Sequence, residues 1–140
     1  MGRASFGGWL IYNCEALNKT GMIQSLTVFL NQGIAASSTG AVWLSGIFTA
    51  FACNLMNNLP AGLIAGNVLN QGHSPEMVKS AVLIGIDLGP NLSITGSLAT
   101  ILWLVALRRE GLEVSAWKFL KLGAMVMTLA LIAALASLWI

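Results

Sequence analysis

The stretch Cys53-Asn54-Leu55-Met56-Asn57-Asn58-Leu59-Pro60 sets three asparagines and a proline inside an otherwise apolar run. A second interruption of the same kind follows at Asp87-Leu88-Gly89-Pro90-Asn91-Leu92-Ser93-Ile94-Thr95-Gly96-Ser97. A bilayer penalises unsatisfied backbone groups. A broken helix therefore persists at membrane depth only where protein buries it or where it lines a cavity. Secondary transporters build their sites from such paired interruptions. The pairing points to part of a transporter.

Composition agrees. The chain has 140 residues, of which 56% are hydrophobic and 9% charged, with mean hydropathy +0.79. A soluble domain carries about a quarter charged residues, so this chain is expected to be an integral membrane protein. A net charge of +2 with scattered basic residues gives no phosphate-tracking groove, so nucleic acid is not an expected partner. Cys14 and Cys53 lie far apart in apolar contexts and form neither a metal spacing nor a disulfide framework. The N-terminus lacks a convincing signal peptide or myristoylation pattern, and its first residues read as a helix entered midway. No phosphate loop, nucleophile–base pair or carboxylate pair is present. No enzyme chemistry, cofactor or metal is expected.

Along the chain, residues 4–18 read as a partial helix, with Glu15 and Lys19 at i, i+4 spacing. Residues 21–31 read as an amphipathic interfacial helix, and Gln32 to Gly40 as a loop. Ala41 to Cys53 is apolar but short, about 20 Å at 1.5 Å per residue, against the roughly 20 residues that crossing needs. Asn58 is the expected cap of a second short helix, with Pro60 in its first turn. Residues 41–69 thus read as a re-entrant hairpin, with one broken spanning helix as the competing geometry. Ser74 is expected to cap the next helix, with Pro75 at its first position and Glu76 in its first turn. Residues 75–107 read as a broken helix whose second half is capped by Thr95 or Ser97, and 116–140 as a plain transmembrane helix. Arg108, Arg109, Lys118 and Lys121 gather on one side, which the positive-inside rule places in the cytoplasm. The expected fold class is all-α, polytopic and membrane-embedded.

Asn54-Leu55-Met56-Asn57-Asn58-Leu59-Pro60, Gly85-Ile86-Asp87-Leu88-Gly89-Pro90 and Thr95-Gly96-Ser97-Leu98-Ala99-Thr100-Ile101-Leu102-Trp103, in that order and with the closing basic loop, strongly resemble the arsenical pump membrane protein family. These are arsenite and antimonite efflux transporters of the ion transporter superfamily. The resemblance runs from about Trp9 to the C-terminus. It implies a longer protein of two inverted-topology halves, of which this chain is most of the second. It also implies proton-coupled antiport of a neutral trivalent metalloid hydroxide across the cell (inner) membrane, with or without a soluble ATPase subunit. The implied partners are the lipid bilayer and the missing N-terminal half, with a homodimer as a further option. Sodium-coupled carriage of dicarboxylates or other anions, as elsewhere in the superfamily, is the alternative. A non-transporting membrane fragment is another.

Under this reading the substrate site lies between tip 54–60 and break 87–97. Asn54, Asn57 and Asn58 offer neutral donors and acceptors suited to As(OH)3, and Asn91, Ser93, Thr95 and Ser97 line the facing side. Each of these is also an ordinary capping or turn residue. Asp87 is the only acidic side chain expected deep in the membrane. Low-dielectric surroundings favour the neutral form of a carboxyl, which suits a group that trades protons; its alternative role is to tie down orphan N–H groups. Pro60, Gly89, Pro90 and Gly96 are backbone devices of the breaks. Cys53 reads as small apolar packing, and His73 as a solvated turn residue.

Overall fold

Ser37 decides where the first two helices part. Its backbone is extended (φ −160°, ψ 111°), and its hydroxyl accepts a hydrogen bond from Gly40 N at 3.1 Å. One residue thus ends helix α1 (Met22–Ala36) and caps helix α2 (Ser38–Met56). The loop expected over Gln32 to Gly40 is therefore replaced by helix on both sides of Ser37. Gly, Ala, Ser and Thr are poor evidence for a loop when a neighbouring apolar face can hold them helical. As a result α2 has 19 residues, not about 13, and is long and apolar enough to cross a membrane.

The computed structural model describes residues 21–112 and 114–140, so the partial helix expected at 4–18 lies outside it. All regular structure among the described residues is helical. Helix α3 (Asn58–Gly72) is ended by His73, whose left-handed backbone (φ 48°) turns the chain. Pro75, rather than Ser74, then occupies the cap position of α4 (Glu76–Leu88), and its carbonyl accepts from Val78 N and Lys79 N at 3.0 and 3.1 Å. Ser74 is buried instead, and its Oγ has no partner among the described residues. Glu76 pairs with Lys79 at 2.7 Å on the exposed first turn.

A 3₁₀ turn, Gly89–Leu92, follows α4, and Ser93 is fully extended. Ser97 caps helix α5 (Leu98–Arg109), accepting from Ala99 N at 3.2 Å. At the far end of α5, Gly111 adopts φ 77°. Gly111 N donates to Arg108 O at 3.1 Å and Leu112 N to Leu107 O at 3.0 Å. That pair of bonds is the Schellman stop, which calls for a left-handed glycine. Ser115 caps α6 (Ala116–Ala136), which a 3₁₀ turn extends to Trp139. Residues 116–139 form the second stretch long enough to span.

The core lies where α2, α4 and α6 meet: Val42 and Ala50, Val78 and Ala81, and Met127, Leu131 and Leu135. Ile23 of α1 packs with Ile64 and Val68 of α3 in a smaller cluster. Buried positions on α2 (42, 45, 46, 49, 50, 53) and on α4 (78, 81, 82, 85) follow helical spacing. Both stripes are small. A Cβ on Gly85 would collide with Gly46 O, and one on Gly46 would lie 2.8 Å from Leu135 Cδ2. Such stripes let helix backbones approach closely where lipid provides no hydrophobic drive. Only 33% of the α2 span and 17% of the α6 span is buried within the chain. The remainder carries Leu44, Phe48, Phe51, Leu122, Val126 and Leu129 outward, as helices in lipid do and core helices of soluble proteins do not. Trp43 and Trp139 stack at 5.9 Å, bringing the start of α2 to the end of α6.

Candidate functional site

The two polar interruptions meet. Asn54, in the last turn of α2, donates through Nδ2 to Ala50 O at 2.8 Å and to Gly89 O at 2.7 Å. Its Oδ1 accepts from Ser93 Oγ at 2.8 Å. Thr95 Oγ1 stands 3.3 Å from Ser93 Oγ and donates to Asn54 O at 3.5 Å. Asn57 Nδ2 reaches Thr95 O at 3.4 Å, and Asn58 N donates to Gly96 O at 3.0 Å. Tip 54–60 and break 87–97 are thus joined by five of these bonds, backbone and side chain alike.

Glycines make that contact possible. A Cβ on Gly89 would lie 2.5 Å from Ala50 Cα and from Ala50 O. A Cβ on Gly96 would lie 2.6 Å from Pro90 O and 2.9 Å from Asn54 Oδ1. On the other side of the break, Gly123 packs against the carbonyls of Asn91 and Leu92, where a Cβ would stand 2.5 and 3.0 Å away. Gly123 lies roughly 10 Å along α6 at 1.5 Å per residue. Sequence reading missed Gly46, Gly85 and Gly123 as contact residues. The four-residue spacing of Gly85 and Gly89 is the signal that could have found one of them.

The first turn of α3 is closed. Asn58 N is taken by Gly96 O, Leu59 N by Asn57 Oδ1 at 3.4 Å, and Ala61 N by Asn57 O at 3.3 Å. Pro60 has no N–H to offer. The capping residue is therefore Asn57 and not Asn58, because Asn57 alone has left the helix (φ 75°, ψ 155°). Helix starts usually present free donors to anions; this one does not. No Lys or Arg lies in either interruption.

Asn57 sits in a backbone region that is essentially glycine's, at a cost of about 1–3 kcal/mol for another residue. Its two side-chain bonds are both long, at 3.4 Å, and so weak. Asn57→Gly is expected to hold or raise thermal stability in detergent, whereas Asn57→Ala is expected to lower it by about 1 kcal/mol. A glycine variant less stable than the parent would show that the side chain outweighs the strain.

The remaining candidates are distributed as follows. Asn58 is half-buried at the tip and Thr95 is exposed beside it. Asn91 is exposed and bonds only locally, to Leu88 O at 3.1 Å. Ser97 is occupied as the cap of α5. Pro90 is buried in the 3₁₀ turn and Pro60 half-buried in the first turn of α3. Asp87 stands apart from the network. It is exposed and has no hydrogen bond or ion pair among the described residues. The reason is helical phase: Gly85 and Gly89 face α2, and Asp87, two residues from each at about 100° per residue, points away. Cys53 is fully buried and is the free cysteine of the described residues. An open surface depression lined by Gln24, Ser25, Val28, Phe29 and Gln32 includes no residue of either interruption. Among the described residues no group of three or more His, Cys, Asp or Glu could hold a metal.

Comparison with known proteins gives the same family as the motifs. The profile described as arsenical pump membrane protein matches residues 10–140. An arsenical pump membrane protein of Yersinia enterocolitica is 31% identical over 129 residues, covering 89% of this chain and 29% of that relative. One from Escherichia coli strain K12 is 33% identical over 108 residues, covering 74% and 24% respectively. Another from Escherichia coli is 33% identical over 133 residues, covering 89% and 29%. No solved structure matches the chain significantly. The chain thus spans about 29% or less of the length of these relatives. With an all-helical membrane fold and its two polar interruptions joined, the chain belongs to the arsenical pump membrane protein family.

Proposed function

We propose that this chain is the C-terminal part of a proton-coupled antiporter that exports arsenite and antimonite across the cell membrane. The observation that carries the reading is the joined pair of interruptions, which presents neutral amide and hydroxyl groups, a closed α3 helix start and no cation. A neutral trihydroxide needs hydrogen-bond partners and no counter-charge. A carboxylate substrate needs free N–H donors or basic side chains, so dicarboxylate carriage is the weaker reading. Asn57, Asn58, Asn91 and Thr95 face the solute, and Asp87 takes up and releases the coupling proton from the opposite side of α4. If α6 crosses the bilayer, its contact with the break at Gly123 falls inside the membrane, as a re-entrant tip and a broken helix require.

Relatives are longer, and Asp87 and α5 have little packed against them here. The N-terminal portion is therefore the proposed partner that completes the cavity. The lipid bilayer covers the outer apolar faces, and a soluble ATPase or a second copy would join through the cytoplasmic loops.

An arsenite-sensitive host supplies the test. The chain, joined to the N-terminal portion of a full-length relative, is expected to restore growth on arsenite and lower cellular arsenic. Asn58→Leu is expected to reduce efflux about tenfold at equal expression, as loss of a hydrogen-bond partner to a polar ligand does. Restored growth that is indifferent to Asn58→Leu, Asn57→Ala and Thr95→Val together would move the substrate site elsewhere.

A further inference from the structure

Of the polar side chains in the two interruptions, Asn54 is the most heavily bonded. An amide has two N–H donors and one oxygen. Both donors are used, at 2.8 and 2.7 Å, and the oxygen accepts at 2.8 Å. The orientation is forced, because rotating the amide would set its oxygen against two carbonyls. Gly96 closes over the same oxygen, so close that a Cβ there would lie 2.9 Å from it. A solute could hydrogen-bond the Asn54 N–H groups only by displacing their bonds to Ala50 O and Gly89 O, the second of which links positions 35 residues apart.

We propose that Asn54 is a positioning residue: it fastens tip 54–60 to break 87–97 as one unit, and leaves solute contact to Asn57, Asn58, Asn91 and Thr95. The fastening stands on geometry alone, whereas the division of labour rests on the transport reading. Gly89 and Ser93 complete the fastener, one by bringing its carbonyl against α2 and the other by its hydroxyl. The tip then cannot shift against the break, and whatever moves during transport must move around the pair.

Hydrogen–deuterium exchange of the chain in lipid nanodiscs reads the fastening without any substrate. Ser93→Ala removes one of the three bonds and Asn54→Leu removes all three. Exchange in peptides covering 54–60 and 89–97 is expected to rise in that order, reaching tenfold or more for Asn54→Leu, with Ser93→Thr restoring the parent rate. Should Asn54→Leu fail to fold, the Ser93 pair decides the matter. Unchanged exchange in 89–97 would overturn the fastening. A second readout concerns positioning. In the chain joined to the N-terminal portion of a relative, Ser93→Ala is expected to raise KM for arsenite about tenfold with maximal rate within twofold, and Ser93→Thr to reverse it. A faster exchange with unchanged KM would overturn the positioning role. Absence of arsenite movement in the parent protein would overturn the transport reading and the division of labour, while the fastening would still be decided by exchange.

Discussion

Gly89→Ala is expected to destabilise the chain by about 3 kcal/mol or more, the upper range for an overpacked core. The added methyl would sit 2.5 Å from Ala50 Cα and O and 2.8 Å from Ala50 C. These are backbone atoms, which cannot rotate aside as a side-chain end can. Relief requires α2 and α4 to separate, and that movement also withdraws Gly89 O from Asn54 Nδ2. Gly66→Ala provides the matched control. It lies within α3 with nothing inside 4 Å of the new Cβ, so the better helix propensity of alanine is expected to stabilise by up to about 1 kcal/mol. Thermal unfolding in detergent, followed by tryptophan fluorescence, compares the two. Equal shifts would mean that the α2–α4 contact at Gly89 is not close.

Asp87→Asn is expected to lower proton-driven efflux tenfold or more while leaving the fold intact. Asp87 makes no hydrogen bond or ion pair among the described residues, so its loss removes no internal support. Asparagine has nearly the same shape but cannot gain or lose a proton. Asp87→Glu keeps the titrating group and is expected to retain part of the rate. The comparison uses efflux rate at fixed expression, with unfolding temperature as the check on folding. Asp87→Asn with parent-like efflux and parent-like dependence on the pH gradient would remove Asp87 from coupling. A large drop in unfolding temperature would instead assign it a structural role.

Much of this arrangement was readable in the chain. The apolar run from 116, uncharged after Lys121, marks α6 (Ala116–Ala136), and Ser97 reads as a candidate cap of α5. The two asparagine- and glycine-rich clusters read as interruptions because such residues favour caps and turns over helix interiors, and α2 and α4 end at them. What failed was finer. Gln32 to Gly40 reads as a loop, because its small and polar residues mimic loop composition, whereas one extended residue at Ser37 suffices to separate two helices. Asn57 and Asn58 are chemically equal as caps, and only the turn imposed by the chain decides that Asn57 takes the role. The helix after His73 starts one residue later than the capping pattern suggests, with Pro75 at the cap position and Ser74 buried.

The site was legible as composition but not as wiring. That Asn54 would face Gly89 and Ser93, while Asp87 faces away, depends on the rotation of α4 against α2. That rotation is set by the small stripe of Gly46, Ala50, Gly85 and Gly89. The stripe is visible in sequence as four-residue spacings of small residues. Its partner helix is not, because small residues pack closely against any helix that offers a matching groove.

Everted membrane vesicles test the central claim most directly. They would carry this chain joined to the N-terminal portion of a full-length relative, with an acid interior imposed. The account predicts that arsenite accumulates inside, that a protonophore abolishes the accumulation, and that a sodium gradient has no effect. Vesicles that hold the folded protein but accumulate no arsenite, and instead take up a dicarboxylate under a sodium gradient, would contradict it.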